Sequence, residues 1–425
     1  MDGLANCPHA LRMDTAAVDQ NLRALRTYEV GRRLLFWLPI FFLYFASILP
    51  LEQVLLLEAA YYFGTVVLEV PSGWFSDRVG RRLTLLIAMA AQVVGCALFF
   101  ATSSFWTFLL GQLAFAASAA FVSGTNYAML YDTLKAGGYE EEMGEESATL
   151  VSYGFTALAI SSLLGGILAG LELRVAYFFT GLAGIAGFVA ALRMVEPPHS
   201  REELEHSGVR SSLVRLKDPA LRWVFLFSVA MAVLNHVPYE FLQPYVGFLA
   251  ASVLESEYTP TPGLSGVLFA VMMLLSAWSA TRSMALGRRL GHANALLVTM
   301  VLQSVIIVAM ALFLHPLVLF LIVLRSVPMG LSAPVVNAIV HPRIPSGVRA
   351  TFLSVQSLAG NLAFSATLLI ASLAVAVDQL DVRTMQIVIG VYALGAVACL
   401  FRLWPVRDWL EDQKSSNKTI VRTNE

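Results

Sequence analysis

Residues 73–82 read Gly-Trp-Phe-Ser-Asp-Arg-Val-Gly-Arg-Arg, and this short polar stretch interrupts a chain that is otherwise strongly apolar. Of the 425 residues, 57% are hydrophobic and only 13% are charged. Soluble domains carry about 25% charged residues, so this chain has too little charge to cover a water-facing surface. The composition therefore predicts a membrane protein, in which the charged stretch is a loop between two membrane spans.

Apolar runs flank this loop on both sides, and each can cross about 30 Å of hydrocarbon as a helix of about 20 residues. Arg174 and Arg383 lie in loops after odd-numbered spans, and Arg325 lies inside a span. Every other Lys and Arg lies on the side of the N-terminus, so the positive-inside rule makes both termini cytoplasmic in a multi-pass protein of the inner cell membrane. The twelve predicted spans are 27–49, 52–76, 83–103, 105–131, 148–170, 175–195, 220–249, 262–284, 293–314, 316–340, 350–374 and 384–404.

The longest polar interruption contains two prolines and a charged run, and it separates six spans from six. A tripeptide at 78–80, Arg-Val-Gly, recurs as Arg-Leu-Gly at 289–291, which weakly supports a duplicated architecture. The N-terminal segment has no apolar run, so a cleavable signal peptide is not expected. The predicted divisions are 1–26, a cytoplasmic segment; 27–195, the first six-helix half; 196–219, a cytoplasmic linker; 220–404, the second half; and 405–425, a cytoplasmic tail.

The charged loop resembles the GxxxDRxGRR signature of the major facilitator superfamily, and it follows span 2 as that signature does. Phrases at 68–73, 131–134, 243–245 and 349–354 are similar to those of a bacterial subgroup of the superfamily. The resemblance implies an all-α membrane protein with twelve transmembrane helices in two six-helix halves. It also implies a secondary transporter that works by alternating access.

The residues of the loop suggest what it does physically. Asp77 can sit at the positive N-terminal end of a neighbouring helix, and Arg81 can pair with a carboxylate such as Asp132 at the end of span 4. In the superfamily this loop holds the two halves together in the outward-open state, and the resemblance carries that role to Asp77 and Arg81. The alternative is that these charges only anchor the loop at the lipid headgroups. The predicted members of this clasp are Gly73, Asp77, Arg78, Gly80, Arg81 and Asp132.

Two departures weaken an assignment as a proton-coupled antiporter. Antiporters of the superfamily usually have an arginine in span 4 and Gly-Pro ahead of Gly-Gly in span 5. Here the corresponding positions are occupied by Gln112 and by Ser161-Ser162. These differences leave the assignment as a transporter intact, because the loop signature and the span pattern do not depend on them.

Charged side chains inside spans are costly, so each one predicts a partner or a watery cavity. Arg33 and Trp37 share one face of span 1 and are candidates to line a substrate cavity, although Arg32 and Arg33 can instead snorkel to the headgroups. Arg325, deep in span 10, is predicted to be a cavity-facing cation. The alternative for Arg325 is a structural pair with an acid on a facing helix, for which Glu58 and Glu240 are candidates.

Span 7 combines two prolines with several polar side chains, and broken helices of this kind mark binding regions in transporters. His236 lies one turn from Glu240, and with Glu58 these are the candidates to carry a coupling proton. The alternative for His236 is a histidine that only packs between helices. Further cavity candidates are Asn235, Tyr239 and Gln243 in span 7 and Asn361 in span 11, which belongs to a polar stripe with Ser354, Ser357 and Ser365.

The leading interpretation is a secondary active transporter that moves a small organic solute, with proton-coupled efflux as its expected form. The alternative is uptake or exchange of an anionic metabolite by a facilitator or a cation symporter. A membrane-embedded enzyme and a transporter-fold receptor are weaker interpretations. The chain lacks a nucleotide-binding GxxxxGK[ST] loop, and Cys7, Cys96 and Cys399 show no metal or disulfide spacing. We expect a monomer in the lipid bilayer with a small-molecule substrate, a proton as coupling ion, no cofactor and no nucleic acid.

Overall fold

The computed structural model describes residues 13–198, 209–241, 245, 248–249, 262–374 and 382–405. Within these residues all regular structure is helical, with no strand. The α-helices of the described chain, in order, are α1 (Thr15–Arg33), α2 (Phe41–Ala46), α3 (Leu51–Val79), α4 (Arg81–Ala101), α5 (Phe105–Val122), α6 (Thr125–Gly137), α7 (Met143–Ala169), α8 (Val175–Leu192), α9 (Val209–Val214), α10 (Pro219–Glu240), α11 (Pro262–Leu290), α12 (His292–Leu312), α13 (Pro316–Val323), α14 (Val327–Val340), α15 (Ser346–Ala374) and α16 (Val382–Leu403).

Each predicted span contains helical residues of the described chain. Nine helical stretches among the described residues are long and apolar enough to cross a membrane. The prediction of an all-α, membrane-spanning fold is therefore confirmed, while the full count of twelve crossings stays a prediction.

The first helix differs from its predicted bounds of 27–49. It begins much earlier, at Thr15, because Asp14 caps it: Asp14 Oδ1 accepts a hydrogen bond from the amide of Ala17 at 2.7 Å. The helix then stops before Pro39, whose ring and missing amide hydrogen do not fit a helix interior, and a new helix, α2, follows. Span 1 is thus a broken helix with a long N-terminal extension.

Two other predicted spans are also interrupted. Between α5 and α6, Gly124 has a φ of 71°, a left-handed conformation that glycine adopts without strain. Between α13 and α14 the chain forms a 3-10 turn at Leu324–Ser326, which carries Arg325. Breaks at membrane depth are tolerated where the freed backbone groups face protein or a watery cavity.

A proline in α10 frees a backbone carbonyl that another helix satisfies. Pro238 has no amide hydrogen, so the carbonyl of Leu234, one turn earlier, loses its partner within the helix. The side-chain amide of Gln303, fully buried on α12, donates to that carbonyl at 3.0 Å. The carbonyl that Pro238 frees in α10 is therefore satisfied by a polar residue of a different helix.

The helices fall into an N-terminal set, α1–α8, and a C-terminal set, α9–α16. Two clusters of buried apolar side chains lie entirely within the N-terminal set, and the largest lies entirely within the C-terminal set. A smaller cluster joins α7 to α11 through side chains such as Phe155 and Ala277. Gly80 and Gly291, which end the repeated tripeptides, both have positive φ, 133° and 84°, and each directly precedes a helix.

Candidate functional site

Arg81 is fully buried at the start of α4 and pairs with two carboxylates. Its Nη1 donates to Asp77 Oδ1 at 2.5 Å, and its Nε donates to Asp132 Oδ2 at 3.2 Å. Nη1 also donates to Ser76 Oγ at 3.1 Å. Charge-assisted hydrogen bonds shielded from water are strong, so Arg81 ties together α3, α4 and α6.

The carboxylate of Asp77 also reaches the C-terminal set. Asp77 Oδ1 accepts a hydrogen bond from the amide of Ala350 at 3.1 Å, and Oδ2 accepts from the amide and the hydroxyl of Thr351 at 2.8 and 2.5 Å. Both residues lie near the N-terminal end of α15, where the aligned peptide dipoles favour a negative charge. The sequence predicts a helix N-terminus beside Asp77, and in the structure that helix is α15.

Arg349 completes this buried network from the other side. Its Nη1 donates to Asp132 Oδ1 in a very short contact, and its Nη2 donates to the carbonyl of Ile344 at 2.6 Å. Its guanidinium carbon also lies 4.1 Å from the centre of the Tyr131 ring. Two buried acids and two buried arginines therefore meet at the boundary between the two helix sets, which we call the seam, and Arg349 is the member that comes from the C-terminal set. Arg349 begins the phrase at 349–354, and no role for it is predicted from the sequence.

Two residues next to the clasp make contacts outside its buried network of acids and arginines. Arg78 is exposed, and its guanidinium lies 5.3 Å from the centre of the Trp74 ring, so it takes no part in the buried network. Glu196, at the start of the predicted linker, accepts hydrogen bonds from the amides of Arg81 and Arg82 at 2.6 and 2.8 Å. Glu196 thereby caps α4, a contact that the sequence analysis misses.

A second set of contacts closes the same end of the bundle, which we call the clasp end. The side-chain amide of Asn337 on α14 donates to Ser147 Oγ on α7 at 2.8 Å, and both residues are buried. An exposed ion pair joins Arg288 on α11 to Glu145 on α7. The two helix sets are thus joined at the clasp end through α3, α6 and α7 on one side and α11, α14 and α15 on the other.

Further along α15 from the clasp, a cavity of about 260 Å³ lies between α6 and the helices α10 and α15. Ligand pockets in proteins begin at about 300 Å³, so this volume lies just below that range and limits the ligand to a small organic molecule. No lining residue carries a charge. The polar lining residues are Tyr127, Ser228, Gln356, Ser357 and Asn361, and the others are Gly124, Ala232, Leu353 and Gly360. The sequence analysis predicts Asn361 as a cavity residue and misses Tyr127, Ser228 and Gln356, because isolated polar residues in apolar helices leave no pattern.

The two arginines of span 1 share one carboxylate. Glu29 is buried, and its side chain accepts hydrogen bonds from Arg32 at 2.5 Å and from Arg33 at 3.1 Å. Asn126 adds a third, at 3.3 Å. The Arg33 side chain is 31% exposed and that of Arg32 is 15% exposed. Glu29, one turn earlier in the same helix, is therefore the counter-ion of both partly buried arginines. This pairing is not among the predictions from the sequence.

Two predicted site residues pack among aromatic rings. The Trp37 ring lies between Phe115 and Tyr177, with ring centroids 5.2 and 6.0 Å away. The His236 ring stacks on Phe364 at 4.4 Å, and His236 Nδ1 lies 2.6 Å from the carbonyl oxygen of Ala232. This is the arrangement of a packing histidine whose Nδ1 carries the proton and donates it to the backbone.

The remaining candidates are less fully described. Asn235 on α10 is half-buried, and so is Arg325 in the 3-10 turn of span 10. The side chains of Glu58, Tyr239 and Glu240 and the whole of Gln243 lie outside the described residues. Their predicted roles stay predictions.

A buried, charge-balanced clasp at one end of a helical bundle and an uncharged cavity beyond it are features of a membrane transporter. The chain matches the sequence model of the Major Facilitator Superfamily over residues 32–368 and belongs to that family. It is 26% identical to multidrug resistance protein MdtG of Proteus mirabilis over 245 residues. That match covers 56% of this chain and 58% of MdtG, so the chain spans a little over half the length of this curated relative.

Solved structures of transporters share the fold. The human organic anion transporter MFSD10 (TETRAN) superposes with a TM-score of 0.69 at 16% identity, over 91% of this chain and 99% of that one. The Escherichia coli fucose:proton symporter FucP superposes with a TM-score of 0.67 at 14% identity, over 92% of this chain and 98% of that one. At these identities the likeness concerns the fold alone.

Proposed function

We propose that the chain is a secondary transporter that exports small organic molecules by alternating access. Two six-helix halves, at 27–195 and 220–404, rock about the central cavity, and the linker at 196–219 joins them. One observation carries the proposal: Asp77 binds the end of α15 across the seam, while the cavity lies between the two sets further along the same helix. Such an arrangement lets one end close while the other gives access to the cavity.

We further propose that the protein lies in the cell membrane with both termini in the cytoplasm. The clasp end is then cytoplasmic, and the clasped state is the one whose cavity opens outward. The basic residues of the clasp and of the loop after span 8 support this orientation, because cytoplasmic loops carry an excess of Lys and Arg. A monomer is the expected working unit.

The lining of the cavity supports a neutral or amphipathic substrate. Tyr127 offers an aromatic surface and a hydroxyl, while Gln356 and Asn361 offer amides that can donate and accept hydrogen bonds. An uncharged cavity of this kind binds apolar surface and orients a few polar groups. The similarity to a multidrug resistance protein agrees with export of drug-like molecules.

The alternative is uptake or exchange of an organic anion. Arg33 and Arg325 are half-buried cations in the spans, and a carboxylate substrate could bind to either. The structural similarity to an organic anion transporter agrees with this alternative, although that likeness concerns the fold alone. A membrane-embedded enzyme and a receptor are disfavoured, because the family and the fold are those of transporters.

Energy coupling to protons is part of the proposal. The sequence names Glu58, His236 and Glu240 as groups inside spans that can exchange a proton. Against coupling stand Gln112 and the Ser161-Ser162 pair, which replace residues common in proton antiporters. A facilitator or a sodium-linked transporter is the alternative that the coupling experiments must separate.

Flux through proteoliposomes tests the proposed function. The purified chain is reconstituted, and movement of ethidium, doxorubicin and carboxyfluorescein is followed against protein-free liposomes. Asn361→Trp should block flux by filling the cavity, whereas Leu362→Trp should not, because Leu362 is the next residue of α15 and is 51% exposed on its outer face. Equal flux in the two variants would contradict transport through this cavity. Movement of carboxyfluorescein alone would favour the anion alternative.

A further inference from the structure

We propose that Glu69 is the carboxyl group that binds and releases the coupling proton, and that it does so at the seam between the two helix sets. The inference rests on the proposed function and deepens it, since the sequence analysis gives Glu69 no role. Glu69 lies on α3, two residues before Pro71, and is only 1% exposed. Its carboxyl group is held by residues of two other helical segments.

The first hydrogen-bond partner of the Glu69 carboxyl group is Ser123, which lies at the break in span 4. Ser123 Oγ donates to Glu69 Oε1 at 2.5 Å. Ser123 directly precedes Gly124, and the left-handed turn there ends α5 before α6 begins. Because the helix stops at this point, the Ser123 hydroxyl is directed towards α3.

The second partner comes from the opposite helix set. The hydroxyl of Ser357 on α15 lies beside the Glu69 carboxyl group, and Ser357 also lines the cavity. Glu69 therefore touches both sides of the seam, and one hydroxyl group separates it from the cavity. A hydroxyl that both donates and accepts can pass a proton between cavity water and the carboxyl group.

The charged groups described along this seam form ion pairs with one another, and Glu69 is not a member of those pairs. Asp77 lies eight residues further along α3, roughly 12 Å away at 1.5 Å per residue, and is bound within the clasp. Glu29 on α1 forms ion pairs with Arg32 and Arg33. Several other charged or titratable groups face the seam from α4, α6, α15 and the turn before α15 and belong to the clasp or pack against it: Arg81, Asp132, Tyr131, Arg349 and His341. Tyr127 on α6 is a further titratable group there, and it lines the cavity.

Among the described residues Glu69 contacts hydroxyl groups, and its described contacts include no cation. A buried carboxylate in such surroundings is unfavourable, whereas the neutral acid is tolerated. The clasped state therefore favours protonated Glu69, which receives its proton from the cavity through Ser357. When the clasp opens, α3 and α15 separate and Ser357 leaves. Glu69 then faces water at the clasp end and releases the proton as hydronium, which leaves the carboxylate. One proton thus crosses the membrane per cycle, opposite in direction to the exported solute.

The sign of the pH dependence follows from this exchange. Low pH keeps Glu69 neutral and favours the clasped state, while high pH ionises it and favours the open clasp. Spin labels at Glu141→Cys and Pro342→Cys, two exposed positions at the clasp end in opposite helix sets, report this change by electron paramagnetic resonance. The native cysteines are replaced by serine, and no substrate is needed.

We expect the distance between the labels to lengthen as pH rises in the wild type, and to stay short at all pH values in Glu69→Gln. Glu172→Gln, which removes an exposed acid in the loop after α7, should behave as wild type. A wild-type pH response in Glu69→Gln, or no response in the wild type, would overturn the inference. The proposed function fails separately, if the wild type responds to pH but moves none of the three test compounds.

Ethidium flux supplies the second readout in the same liposomes. Glu69→Gln should lose accumulation driven by an imposed pH gradient, because glutamine carries no proton across the membrane and the clasp stays closed. Loss of gradient-driven accumulation in Glu58→Gln or Glu240→Gln, with Glu69→Gln unaffected, would move the proton site to those residues and overturn the assignment.

Discussion

Asp132 accepts hydrogen bonds from two arginines that belong to opposite helix sets, Arg81 on α4 and Arg349 on α15. One oxygen takes Arg81 and the other takes Arg349, so the carboxylate bridges the seam. The whole network is buried, and opening it separates opposite charges. The clasp is therefore both an attachment between the sets and a barrier to their separation.

Removal of Arg349 should destabilise the protein severely. Arg349→Ala leaves two buried acids, Asp77 and Asp132, with one buried arginine, Arg81. Breaking a buried ion pair costs about 3 to 5 kcal/mol. We expect low expression and a lower unfolding temperature in detergent. Arg349→Met combined with Asp132→Asn keeps the charges balanced and should recover much of the stability. If the double variant is as unstable as the sum of the two single variants, the two residues are not coupled.

Asp77→Asn should slow transport while the protein stays folded. The amide keeps an acceptor for α15 and Arg81 keeps Asp132 as its acid, while the lost charge weakens the contact with the helix end by about 0.3 to 2 kcal/mol. That is enough to shift a conformational balance. Ethidium flux should fall, and a cysteine at Asn361 should react less with a maleimide added from the predicted outer side.

Arg78→Gln is the matched control for Asp77→Asn, since Arg78 is in the same loop and outside the buried network. Its flux and labelling should match those of the wild type. Unchanged flux and labelling in Asp77→Asn would mean that the loop only anchors the helices at the headgroups.

Gln303 should stabilise α10 at the carbonyl that Pro238 frees. Gln303→Leu leaves the Leu234 carbonyl without its donor, which costs about 1 to 3 kcal/mol for a buried polar group. The unfolding temperature should fall accordingly. In a Pro238→Ala background the new amide can serve that carbonyl, so Gln303→Leu should then cost much less. An equal cost in both backgrounds would show that the hydrogen bond is not the cause.

Arg325 is predicted to face the transport path. Arg325→Ala should abolish transport of carboxyfluorescein, and Arg325→Lys should restore little, because a guanidinium binds a carboxylate through two hydrogen bonds. Normal expression of Arg325→Ala together with lost flux would agree with this role. Poor expression of the same variant would instead make Arg325 a structural residue.

The helical fold could be predicted from the sequence because hydrophobic length alone sets it. The loop at 73–82 was readable because its charges are concentrated in an otherwise apolar chain. The interruptions within spans were harder: Pro39 gives a signal, but the break at Gly124 and the 3-10 turn at Leu324–Ser326 depend on tertiary contacts. Asp14 is an N-cap residue that signals the early start of α1. The predicted span began later, at 27, because it followed the hydrophobic run.

The partners of the charged residues could not be predicted from the sequence. Arg349 lies 217 residues from Asp132 along the chain, and no periodicity links them. The pairing of Glu29 with Arg33 was easier to predict, since Glu29 lies one helical turn before Arg33 and a buried arginine requires an acid. Ser357 was visible as part of a polar stripe, but its contact with Glu69 depends on how α3 and α15 cross.

Locking the clasp tests the central claim most directly, namely that α3 and α15 must separate in every transport cycle. A Cβ at Gly73 would lie 3.0 Å from the Cβ of Ser354, close enough for a disulfide after a small shift. In a background without native cysteines, Gly73→Cys with Ser354→Cys should lose ethidium flux on oxidation and regain it on reduction, while each single variant is unaffected by oxidant. Undiminished flux through fully cross-linked protein would contradict the account.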